Sequence, residues 1–116
     1  MTDVASNEMD AIQMEIEMAQ DMIKARDALV RLTSNADFNL VFTQGYFEKE
    51  ASRLVLLKAE ASMEDEQKQK NVDDSIIGIG QLYQYCRAVM AQGQQCDAAV
   101  ADYEQELETM RADELS

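Results

Sequence analysis

From Glu8 to Leu32 the apolar residues recur at helical intervals in two sets. Ile12, Ile16, Ala19, Ile23 and Val30 mark one stripe, and Met14, Met18, Met22, Ala25, Leu29 and Leu32 mark another beside it. Two stripes mean either one wide buried face, or one face for the core and one for a partner. Acids crowd the first turns and Lys24, Arg26 and Arg31 come late, which suits the helix dipole. The spacing predicts a helix over 8–33, with residues 1–7 as a frayed start.

The run TSNAD interrupts this pattern. Asn35, with Asp37 two residues on, reads as the start of a second helix over about 37–60. Val41, Gly45, Leu54 and Leu57 fall near one line, flanked by Phe38, Phe42, Phe47, Ala51 and Val55. This dense block reads as the core helix. Gly45 costs roughly 1 kcal/mol against Ala in a helix interior, and a close helix crossing there would offset it.

A polar connection, ASMEDEQKQKN, follows. Ser62 with Asp65 three residues on has capping-box spacing, and Asn71 before Asp73 and Asp74 is a competing start; Ser62 is preferred because nothing between them breaks a helix. Val72, Ile76, Ile79, Tyr83, Cys86, Met90 and Gly93 then alternate by four and three, continued by Val100, Tyr103, Leu107 and Met110. A helix over 63–112 would be ~70 Å long, against ~35–40 Å for each of the first two. On these lengths the third helix projects beyond the others or bends near Gly93. The stripe of Val100, Tyr103, Leu107 and Met110 would then lack cover within its own chain, making those four the candidate partner-binding residues.

The expected fold is therefore all-α: two antiparallel helices plus a long, partly projecting third, as a coiled-coil-like helical bundle. A single domain is expected, with a bundle core over 8–90 and a projecting acidic C-terminal helix over 91–116. Composition agrees. The 116 residues include no proline and four glycines, too few for a loop-rich or all-β chain, and eight methionines but no Trp.

Charge narrows the partners. With 23 acids and 10 bases the net charge is −13, and the excess sits mainly toward the two ends. Such a field repels nucleic acid and anionic membranes. It reads first as a solvated helical surface, and more sharply as a face that docks on something basic. Cys86 and Cys96 would lie ~15 Å apart along one helix, beyond the ~7 Å reach of a disulfide, so two free thiols in a reducing compartment are expected. The opening MTDVASNEMD lacks an apolar core and does not read as a signal peptide, and no apolar run approaches the ~20 residues of a membrane span.

Candidate chemistry is thin. There is no histidine, which removes the commonest general base and the usual zinc sites. DEQKQKNVDD lacks the glycine and closing Glu of an EF-hand loop, although a carboxylate-only cation site stays open. Gly78 and Gly80 in GIGQLY follow no strand, so they read as close-approach positions for another helix rather than a phosphate loop. Tyr83 and Tyr85 beside Arg87 read as half-buried core residues before a binding surface. The methionine stripe reads as a Met-filled core before an adaptable groove. Arg53 and Glu50 read as a surface i,i+3 pair. No catalytic residue, cofactor or metal ligand is assigned.

One resemblance adds a setting. The order RDALVRLTSNADFNLVFTQGYFEKEASRLVLLKAEASM, IGIGQLYQYCRAV and YEQELETMRADE resembles a family of small acidic helical proteins encoded by tailed bacteriophages. The matching positions are Asn35, Asp37, Phe38, Gly45, Tyr46, Glu50, Ala51, Arg53, Leu54, Gly80, Leu82, Gln84 and Tyr85, within roughly residues 20–112. The resemblance carries no activity that transfers and implies a phage setting: a virion or assembly role, in host cytoplasm during infection and in the particle. The functional expectation is a non-enzymatic structural or assembly protein that contacts a particle component, or further copies of itself, through its helices. The alternative is an acidic effector that binds a host protein such as a nucleic-acid-processing enzyme.

Overall fold

The computed structural model describes residues 2–60 and 64–115. Among them the protein is all-α and forms a helical bundle. Helix α1 spans Thr2–Thr33; α2 (Ala36–Phe38) leads without a break into a π-helical stretch (Asn39–Glu50) and then α3 (Ala51–Lys58); α4 spans Glu66–Leu115. The backbone forms two compact units: residues 1–28 with 89–116, and residues 29–88. The expected division into a core over 8–90 and a projecting tail over 91–116 is not the one the contacts follow.

In the first unit, residues of α1 and α4 pair antiparallel. Along α1 the positions withdrawn from solvent include Ala5, Met9, Ile12, Ile16, Ala19, Ile23 and Arg26, and along α4 they include Gly93, Cys96, Val100, Tyr103, Leu107 and Met110. Both series alternate by three and four, the spacing of a coiled-coil seam. Ile16, Ala19 and Leu107 are its buried centre. The direction follows from the contacts: Arg26 meets Gly93 and Asp97, Met22 meets Cys96, and Ile16 lies near Leu107.

Three expectations are corrected here. Residues 2–7 are helical rather than frayed, so α1 has 32 residues and is roughly 48 Å long. The antiparallel pairing with α1 also covers the stripe assigned to a partner: Leu107 is only 4% exposed, and Val100, Tyr103 and Met110 are half-buried. Nor does the glycine interrupt α4, which is helical through Gly93.

In the second unit, α1 ends at Thr33, where the Ser34 hydroxyl donates to the Val30 carbonyl. Asn35 then caps α2, its side-chain oxygen accepting from Phe38 N at 2.9 Å, which is the start signal read from Asn35. The π-helical geometry beyond it is a departure from the expected α-helix over 37–60. π-helices are mostly single-turn bulges, whereas this one has 12 residues. Side chains brace its start: Asn39 Nδ2 donates to Thr33 O at 2.7 Å, and Thr43 Oγ1 to Asn39 Oδ1 at 2.8 Å. The wider turn shifts the inward face, so Thr43, Tyr46 and Phe47 lie on it while Val41 and Phe42 are exposed. Gly45 approaches no other helix; a Cβ there would meet the Leu40 carbonyl oxygen at 3.0 Å.

Leu54 is buried with Val72 and Ile79, against Tyr46, Phe47, Ala51, Leu57 and Ile76. A salt bridge from Lys58 Nζ to Asp73 Oδ1, 2.6 Å, adds a polar tie between α3 and α4. Helix α4 starts at neither site read from sequence. Asp65 caps it, accepting from Gln67 N at 2.8 Å and Lys68 N at 3.4 Å; Asn71 lies inside the helix, and the preferred Ser62 cap and Met63 start lie outside the described residues.

Candidate partner-binding surfaces

The four expected contact residues Val100, Tyr103, Leu107 and Met110 share one face, as their spacing required, but in the first unit that face is turned onto α1. The acids beside them, Glu104, Glu106 and Glu108, are in solvent. The apolar surface left open lies on α1 instead. Met14 and Met18 are 63% and 55% exposed, and Met22 is 43% exposed.

Their placement follows from helix geometry. Met14, Met18 and Ala25 come two residues after Ile12, Ile16 and Ile23, and two residues turn an α-helix by roughly 200°. The two stripes of α1 are thus on opposite faces, one closed by α4 and one open. This corrects the reading of the methionines as core. Met22 sits at the stripe's edge and curls toward α4, where the Cys96 thiol donates to its sulfur at 3.6 Å. Both cysteines are free thiols.

Around this seam the charge is lopsided. By sequence the first unit carries fourteen acids and three bases, a net −11 of the chain's −13. One base is committed within the unit: Arg26 Nη1 and Nη2 donate to the two carboxylate oxygens of Asp97 at 2.7 and 3.2 Å, and Arg26 Nε donates to Asp27 at 2.7 Å. The bidentate hydrogen bonding from Arg26 pulls the Asp97 carboxyl below its ordinary range, and the same bonds raise Arg26. The Arg26 stem covers Gly93, the close approach that sequence reading assigned to other glycines. Arg26 continues the four-and-three spacing of α1, and that was the available signal.

The second unit carries an apolar groove of about 600 Å³, with Thr43, Phe47, Glu48 and Ala51 on one wall and Ile76, Ile79, Gly80 and Tyr83 on the other. Phe47 and Tyr83 meet edge to face with ring centroids 5.6 Å apart. Arg87 lies over the Tyr83 ring, 5.9 Å from its centroid. Contrary to the sequence reading, Tyr83 and Tyr85 are exposed, and a Cβ on Gly78 or Gly80 would meet nothing within 4 Å. Neither glycine admits a helix, and Gly80 lines the groove. Arg53 and Glu50 form the expected i,i+3 ion pair.

Among the described residues no group of three or more Cys, Asp or Glu is placed to hold a metal ion, and no helix is long and apolar enough to cross a membrane. Both units carry open apolar side chains on their helices. No protein-family model, curated protein or solved structure matches this chain.

Proposed function

We propose that this chain is a non-enzymatic bacteriophage structural or assembly protein that works through helix-mediated protein–protein contacts. The observation that carries the reading is its distribution of apolar side chains. Among the described residues six hydrophobic side chains are buried while seventeen large ones are exposed, including Met14, Met18, Leu40, Val41, Val55 and Leu56. Each large side chain left in water forgoes ~1.5–3 kcal/mol available on burial. A chain with this balance gains stability by giving those faces to another protein. The lack of histidine supports a non-enzymatic role.

The phage setting rests on the resemblance over residues 20–112, and it brings the particle and the host cytoplasm as locations. Quantitative mass spectrometry of purified particles tests it. Recovery at stoichiometric copy number supports the reading, and absence from both finished particles and assembly intermediates overturns it. The concentration of negative charge in the first unit favours one second reading, an effector that occludes the basic surface of a host protein. Expression early in infection with no protein in particles would favour that alternative.

A further inference from the structure

We infer that the first unit docks a basic amphipathic helix from another protein along the open seam of Met14, Met18, Met22 and Ala25. The inference rests on the reading of this chain as a protein-binding module and names the chemistry of its partner.

Three observations converge on that occupant. The open seam of Met14, Met18 and Ala25 lies on the face of α1 opposite α4, with Met22 at its edge toward Cys96, and the four anchors are spaced by four, four and three. An incoming helix presents apolar residues at this same period. Methionine suits the contact, since its unbranched side chain adapts to irregular partners. The edges of the seam are acidic. Glu8 and Glu15 run along one side, and Asp10, Glu17 and Asp21 along the other, all in solvent. An occupant with an apolar face and lysine or arginine on both flanks matches this edge charge for charge.

The same charges argue against the other occupants. A second copy would bring a unit of net −11 against another of the same sign, with few bases to interleave. The unit's bases are Lys24, Arg26 and Arg111, and Arg26 is held by Asp97. Nucleic acid is repelled by the same field.

The test uses the full-length protein and a synthetic leucine–lysine amphipathic helix labelled for fluorescence anisotropy. Saturable binding is expected, weakening as salt is raised. A scrambled peptide of equal charge, with no continuous apolar face, should bind far more weakly. The double variant Met14→Gln and Met18→Gln should weaken binding at least about tenfold while keeping the wild-type circular dichroism spectrum. These side chains are mostly in solvent, so the variant retains the fold. Equal binding of the scrambled peptide, unchanged binding by the variant, or no binding by the wild type would overturn the inference. So would a wild-type dimer, seen by sedimentation, that the variant disperses, since a second copy would then occupy the seam. Particle mass spectrometry keeps the two proposals apart. Incorporation without peptide binding removes only this inference, and peptide binding without incorporation removes only the particle role.

Discussion

Arg26 occupies the space that any side chain at Gly93 would need: a Cβ there would stand 2.3 Å from Arg26 Cβ and 2.4 Å from its Cγ. Those atoms are the root of the side chain and cannot swing aside. Gly93→Ala therefore forces the two backbones apart or displaces the Arg26 stem, an overpacking cost of about 1–3 kcal/mol. Against it stands a helix-propensity gain of ~1 kcal/mol. A net loss is expected, read as a lower urea midpoint with unchanged slope.

Gly78 and Gly80 supply the contrast, because open space surrounds the Cβ position of each. Gly78→Ala and Gly80→Ala should each raise stability by up to ~1 kcal/mol through helix propensity alone. A higher melting temperature for both, beside a lower one for Gly93→Ala, would separate close approach from mere glycine content.

Asp97 predicts a pH response. Its folded-state carboxyl is held down chiefly by the hydrogen bonds from Arg26, so its contribution is fully present above the unfolded value of ~3.9. That contribution falls away as the pH drops through the lower folded value. Asp97→Asn should lower stability at neutral pH and make the acid limb of the stability curve shallower below about pH 4. Asp97 is half in solvent, so the effect should shrink in high salt. Urea midpoints across this range, at low and high salt, provide the check.

Leu54 and Leu56, two residues apart on α3, should respond very differently. Leu54 is 6% exposed within the core with Val72 and Ile79, whereas Leu56 is 69% exposed. Leu54→Ala is expected to cost about 2–4 kcal/mol, and Leu56→Ala to stay within about 0.5 kcal/mol. Leu54→Asp should prevent stable folding, because the charge would have no partner there.

How much of this was legible follows from the range over which each signal acts. The α1 and α4 seams could be read because three-and-four spacing repeats along a whole helix. The helical start before Glu8 was legible too, in Ala5 and Met9, which carry the spacing of Ile12 and Ile16 backward through polar neighbours. The π-helical stretch was not. It differs from an α-helix by a change of phase, and that shift decides whether Val41 or Thr43 faces inward. The seam role of Arg26 was hidden by its charge, although a long aliphatic stem can pack while its guanidinium finds Asp97. The methionine stripe was visible, but the choice between core and open surface depended on where α4 lies.

Leu107 now carries a prediction opposite to the one its isolated helix suggests. On a projecting helix, Val100→Glu with Leu107→Glu would only abolish association. In the structure Leu107 is buried against α1, with Glu104 one turn before it, Glu108 next to it and Arg111 one turn after it. A glutamate there would be a buried charge beside two like charges, offset only in part by Arg111 one turn on, a cost of up to about 3–5 kcal/mol. The double variant should lose the helix pairing of the first unit itself, with faster amide exchange over residues 5–26 and 93–110. Leu107→Met, which nearly conserves volume, should cost less than about 1.5 kcal/mol and keep those amides protected. If Leu107→Glu instead retained wild-type exchange and only dispersed an oligomer, the stripe from Val100 to Met110 would be an intermolecular face, and its pairing with α1 would be wrong.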